Sequence, residues 1–278
     1  MNTYEMLLEL RANVGESTAA HWSEKELLKK LSAAHRRVAM TLMLKQGDWL
    51  LKSELFTPAS GLITLPADCA KPVYIEVVST GIEIPINTTV RERRLTRPAT
   101  SGMDYGGLNA YFLDGYVEIN DSSYSSQVRM WYQRRVWDLI AGTGDTSTGV
   151  LAIVIAVADG PRYTDDYYIG AKVEIVEGTG IGTSDTVTDY DGGTRVLTVS
   201  GTYGTDTIYG TVPQVPEEGH DLIILKATLQ AMAKPSSDVE EEVFKYYMAL
   251  ERDAQKIFDE WCATRKSGST HVRTTEID

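Results

Sequence analysis

Apolar residues recur at three- and four-residue spacing in two long stretches, one towards each end of the chain. In the first, Leu27, Leu31, Ala34, Val38 and Leu42 share one face between Trp22 and Lys45, the periodicity of an amphipathic helix. Ser23 and Glu26 make a capping box there, because the serine oxygen and the glutamate satisfy orphan amides of the first turn, and Trp22 and Leu27 flank it as a hydrophobic staple. In the second, Ser236 to Trp261, the stripe is Val239, Val243, Tyr246, Leu250, Ala254, Ile257 and Trp261, with Ser237 and Glu240 as a second capping box. At about 1.5 Å per residue each helix would run roughly 35 Å, long for a compact domain. Thr3 to Asn13 predicts a short helix with Met6, Leu7 and Leu10 apolar, stopped by Gly15. Pro216 opens a fourth, through about Ala233, that is apolar nearly all round and suits the centre of a bundle.

Between the helices the period changes to two. Leu62 to Leu65, then Val73, Ile75 and Val77, then Ile82, Ile84 and Ile86 after Gly81, read as strands. Tyr111 to Leu113 and Tyr116 to Ile119 flank Asp114-Gly115, a hairpin signal because both central turn positions need positive φ. Gln127 to Val136 adds a further strand, completing a small antiparallel sheet. From Ala141 the composition shifts to Gly, Thr, Asp and Ser, with strands predicted at Val150–Val157, Tyr168–Val176, Asp185–Asp189 and Arg195–Val199 and a tight turn at Asp191-Gly192-Gly193. Helical signals resume after Pro213. The fold class is therefore α+β: a helical bundle with a small antiparallel β-sheet in residues 1–140 and 213–265, and an inserted all-β domain in 141–212. Excising 143–211 is then expected to leave the parent fold intact. Residues 266–278 are too polar to fold alone and form a separate tail.

Charge sharpens this division. The 278 residues carry a formal net charge of −12. Residues 1–140 hold 16 acidic and 16 basic side chains, 141–212 hold 10 and 3, and 213–278 hold 13 and 8. A chain so biased does not grip DNA by neutralising phosphates. No apolar run approaches the ~18 residues of a membrane-spanning helix, and the N-terminus lacks the order of a signal peptide. Two cysteines, Cys69 and Cys262, fit a reduced folding compartment.

The motifs carry little chemistry. Gly178-Thr-Gly180-Ile-Gly182-Thr-Ser184 lacks the lysine and following helix of a phosphate loop, and reads as a loop between strands. His21, His35, His220 and His271 make no metal-ligand spacing; His35, beside Arg36 and Arg37, reads as a solvated or interface residue, and His220 as a capping or packing one. No nucleophile elbow and no supported carboxylate pair is present, so no catalytic, cofactor or metal residue is assigned and the chain does not read as an enzyme. Trp131, Tyr132 and Trp137 read as core or sheet-facing. Arg91, Arg93, Arg94 and Arg97 form either a solvated loop or a contact surface, since arginine forks suit carboxylates on a partner.

The order of parts resembles a known family. Arg11-Ala-Asn-Val-Gly-Glu16, Trp22-Ser-x-x-Glu-Leu-Leu, Trp49, Leu65-Pro-Ala-Asp68, the strand pair around Asp114-Gly115, Tyr132 to Leu139, and Pro213-x-x-Pro-Glu-Glu-Gly-His-Asp before two helices resemble the head-to-tail adaptor (head completion, connector) proteins of tailed bacteriophages. The likeness covers residues 1–140 and 213–265. It implies a structural virion protein at the head–tail junction, made in the host cytoplasm and forming a homo-oligomeric ring, usually twelve-fold. Its partners would be the portal protein and a tail or nozzle protein, with genomic DNA passing through unbound during ejection. The tail would dock on the portal, with His271, Val272, Arg273 and Ile277 as contact candidates. The insert departs from the family pattern and resembles β modules of phage tail and fibre proteins. Rival readings are a tail-fibre or receptor-binding protein and a virion peptidoglycan hydrolase.

Overall fold

The computed structural model describes residues 1–16, 21–87, 108–113, 115–145, 152–154, 165–201, 203–233 and 241–267. The protein is mixed α+β, with 35% of the described residues helical and 28% in strands that form several small antiparallel sheets. It divides into two compact units, one of Asp48–Arg135 and one of Met1–Gly47 with Val136–Asp278.

In the unit Asp48–Arg135, eight strands among the described residues make two four-stranded sheets. Strands β1 (Leu51–Phe56), β3 (Cys69–Val77), β4 (Glu83–Ile84) and β8 (Val128–Arg134) pair in the order β1-β8-β3-β4. Strands β2 (Leu62–Thr64), β5 (Ile86–Asn87), β6 (Ala110–Leu113) and β7 (Tyr116–Ile119) pair as β2-β7-β6-β5. Alternate residues of β8 (Val128, Met130 and Tyr132) point inward and meet Ile63, Ile75, Ile84, Val117 and Ile119 in one core. Strands β6 and β7 pair antiparallel as expected, Leu113 opposite Tyr116, with Gly115 at φ +81°. Gly81, at φ +67°, turns β3 into β4.

In the other unit, Asn2 and Glu5 close a capping box on α1 (Thr3–Asn13), and Ser23 and Glu26 close the expected one on α2 (Glu24–Lys45). A single 3-10 turn, Glu217–Gly219, leads into α3 (His220–Met232), and α4 (Glu241–Ser267) follows. Helix α3 packs against α1, α2 and α4 and buries Leu222, Ile223, Ile224, Ala227 and Ala231, as its all-round apolar pattern requires. The second capping box, Ser237 with Glu240, lies outside the described residues.

The described residues of this unit also form seven strands: β9 (Ala141–Asp145), β10 (Ala152–Val154), β11 (Lys172–Glu177), β12 (Ser184–Thr186), β13 (Asp189–Asp191), β14 (Val196–Thr198) and β15 (Ile208–Thr211), ordered β12-β11-β15-β9-β10-β14-β13. Only Val187 and Thr188 separate the two end strands. The segment 184–191 therefore pairs with β11 through β12 and with β14 through β13, so the two ends of the sheet meet on one stretch of chain and the sheet curls into a barrel. Tyr168, Tyr190 and Tyr209 fill it with Val173, Ile175, Leu197 and Val199; the Tyr168 ring stands edge-on to Tyr167 and Tyr190 at 4.8 and 4.9 Å. The strand expected from Tyr168 starts only at Lys172, because Tyr168 turns inward ahead of Gly170 at φ +80°.

Helix α1 sits on this barrel. Thr3 Oγ1 donates to the Thr211 carbonyl at 2.6 Å and lies 2.9 Å from the Thr211 hydroxyl. A Cβ on Gly210 would stand 2.6 Å from the Tyr4 nitrogen, so only glycine permits the approach. The compact units thus part at 47/48 and 135/136, a division that differs from the sequence-based one at 140/141 and 212/213. Packing of α1 on β9 and β15 places the barrel with the helices.

Candidate assembly surface and the buried polar centres

Every contact residue proposed from sequence, Arg91, Arg93, Arg94 and Arg97 and then His271, Val272, Arg273 and Ile277, lies outside the described residues. The motif residues behind the family resemblance lie mostly inside them, and several act as joints. Glu16 accepts from the His21 and Trp22 amides at 2.8 and 3.0 Å, and Arg11 reaches the Trp22 carbonyl and Glu24. These bonds tie the end of α1 to the start of α2.

Asp68, in the Leu65-Pro-Ala-Asp motif, is the hub of a polar cluster of charged side chains. Tyr132 Oη lies 2.9 Å from Glu54 Oε2 and 3.0 Å from Asp68 Oδ1. Lys52 Nζ is 3.3 Å from Asp68 Oδ2 and 3.5 Å from Glu54, and Arg134 Nε is 3.2 Å from Asp68. Register explains the assembly, since Lys52 opposes Tyr132 across β1 and β8 and Glu54 opposes Met130. Two acids face two bases, so the cluster is neutral. Burial, followed by the Asp68 charge, pushes the Tyr132 phenol far up, which keeps its proton on and makes it a donor rather than a base. The cluster pins β1 and β8 to the segment that enters β3. Asp68→Ala would remove the carboxylate that both Lys52 and Arg134 face at a nearly buried site, and is expected to cost about 2 kcal/mol. Tyr132→Phe is expected to cost about 1 kcal/mol. Urea titrations of the two variants give both values.

His35 is not solvated, which corrects the sequence reading. It is fully buried, and its Nε2 accepts the Gln214 amide at 3.0 Å while Gln214 Oε1 accepts the Trp137 amide at 2.9 Å. Burial lowers its pKa to about 3, helped by nearby His220 and Arg36 and opposed by the Trp137 backbone. Arg36 itself turns to Asp138. His220 packs as expected: it is buried, its Nε2 is 3.0 Å from the Val215 carbonyl, and its pKa is lowered chiefly by burial. Each buried ring is held in one tautomer as a structural strut.

The surface tells more. At about 100° per residue, α4 turns two different faces outward and inward. Phe258 and Cys262 are buried on the side that includes Glu251, which pairs with Lys226 of α3. The stripe read from sequence lies round the helix from this: Val243, Tyr246 and Ile257 are 39%, 61% and 61% exposed, while Leu250 and Ala254 are half-buried. Glu242, Asp253 and Glu260, all exposed, border it on one side. Helix α2 has a matching outward face. Met40 is 61% and Leu44 85% exposed, in line with Ala33 and with exposed Lys29 and Arg37. After Glu26, α2 carries no acidic residue at all.

The glycine-rich run Gly178–Gly182 is the loop between β11 and β12, with Gly178, Gly180 and Gly182 at φ +81°, +89° and +78°. Among the described residues no group of three His, Cys, Asp or Glu side chains is placed to hold a metal ion, and no helix is long and apolar enough to cross a membrane. No family model matches the chain, and no curated protein does.

Proposed function

We propose that the chain is a structural subunit of a head-to-tail adaptor ring, joining the portal vertex of a phage head to the tail and leaving a channel for DNA. It would comprise a helical bundle and small sheet, with the barrel as an added module facing a tail or nozzle protein. The carrying observation is the outward stripe of α4. A helix of 27 residues that exposes Val243, Tyr246 and Ile257 in one line has a face that water does not favour. Such a face on an otherwise chemistry-poor chain supports self-assembly as its work. The joints at Glu16 and Asp68 support the reading further, because the residues that resemble the family are the ones that hold this chain's turns. DNA would traverse the ring without specific contact.

Native mass spectrometry and negative-stain electron microscopy at tens of micromolar test the proposal. Closed rings, about twelve-fold, are expected. A monomer at that concentration would overturn it, and a trimer would favour the fibre reading.

A further inference from the structure

We infer that neighbouring copies meet through two different faces, the outward stripe of α4 on one copy lying antiparallel along the outward face of α2 on the next. This rests on the ring reading and names its interface. Within one copy the C-terminal ends of α2 and α4 touch, through Lys45 with Asp259 and Gln46 Nε2 with the Cys262 carbonyl at 3.2 Å. Counting at about 100° per residue, Lys45 and Gln46 lie roughly 140° and 240° round α2 from Met40. Likewise Asp259 and Cys262 lie roughly 220° and 160° round α4 from Tyr246. Both outward faces therefore point away from the contact that joins their helices. They lie back to back on one unit, as a head-to-tail repeat requires.

Complementarity selects the occupant. The α2 face is basic and apolar: Lys29 and Arg37 have no ion-pair partner among the described residues, and Met40 and Leu44 are exposed. The α4 face is apolar with an acidic border, and its Asp253 likewise has no ion-pair partner there. Laid antiparallel, one register sets Arg37 against Asp253, Met40 against Leu250, Leu44 against Tyr246 and small Ala33 against Ile257, and brings Lys29 within one residue of the position opposite Glu260. Opposite charges and apolar pairs then coincide along the same helix turns. A self-complementary pairing of α4 with α4 would instead place acid on acid and leave α2 uncovered.

Charge reversal tests this. R37E and D253R are each expected to weaken assembly at least tenfold. Assembly should return when the two variants are mixed, because alternating copies restore opposite charges at every contact. The chain carrying both changes should also assemble. Oxidised mixtures of L44C and Y246C chains should give cross-linked dimers that neither chain forms alone. Rings that form normally from R37E, or cross-linking of L44C only to I257C, would overturn the interface while leaving the ring reading intact. A wild-type chain that stays monomeric would overturn both.

Discussion

Replacing residues 143–211 by a short Gly/Ser linker is expected to abolish cooperative unfolding of the helical unit, not to spare it. The sequence alone pointed the other way, because the helices seemed complete without the strands. Packing reverses that expectation. Trp137 and Ile140 lie outside the excised segment but are buried in the barrel's core, and re-exposing each costs roughly 1.5–3 kcal/mol. Thr211, whose hydroxyl accepts the Ile140 amide at 3.0 Å and meets Thr3, is lost as well. The seat of α1 on Gly210 disappears with it. A domain has only about 5–15 kcal/mol in hand, so these losses consume most of it. Circular dichroism during a thermal ramp reads the outcome: a broad, shallow transition is expected, and a sharp one at the wild-type temperature would show that the helices stand alone.

Acid is expected to weaken the same unit well before its carboxylates titrate. Unfolded, His35 would take up a proton near pH 6.5, whereas in the fold it resists protonation down to about 3. Between those values the unfolded chain holds the extra proton, so stability is full above pH 6.5 and falls as pH drops towards 3. The slope from one histidine is about 1.4 kcal/mol per pH unit, or about 2 kcal/mol lost by pH 5. His220, lowered for the same chief reason, adds to it. Denaturant melts from pH 7.5 to 4.5 measure the slope, and a His35→Gln variant should flatten it even if it is less stable at neutral pH. An unchanged slope in that variant would assign the acid sensitivity elsewhere.

Periodic elements and strands flanking a clear turn signal were legible from sequence, whereas short polar or glycine-rich strands were not. The cap and stripe of α2 are local facts, and the helix forms where they place it. Strand β1 was missed because it reads Leu-Lys-Ser-Glu-Leu-Phe, a polar edge with half its length exposed. Strand β9 was missed because Ala-Gly-Thr-Gly-Asp has almost no strand propensity. Its glycine has a tertiary reason: a Cβ on Gly144 would meet the Gly204 carbonyl at 2.6 Å. Such close approaches between distant segments leave no periodic trace.

His35 could have been placed from sequence. It falls four residues after Leu31 and three before Val38, on the buried face of α2, and that spacing outweighs its arginine neighbours. The α4 stripe was read correctly as a line of apolar residues, yet it does not mark the buried side, because Phe258 and Cys262 form a second apolar line beside it. A helix with two such lines has more apolar surface than its own unit covers. Periodicity reveals both lines but not which one the chain keeps for itself.

The bent segment that joins β12 to β13 has a consequence for crowding. A ring would hold many copies of this barrel at very high local concentration, where open strand edges tend to recruit one another into continuous sheets. Here the first and last strands of the sheet are two residues apart on one segment and three residues long each, so the sheet ends in short strands rather than long open edges. Strand β1, which pairs on one side only among the described residues, is a short edge that carries charged residues, and such edges make poor templates for pairing. Fusion through main-chain pairing is thereby discouraged. Contact between copies is left to side chains, where a single substitution can strengthen, weaken or redirect it without disturbing the fold.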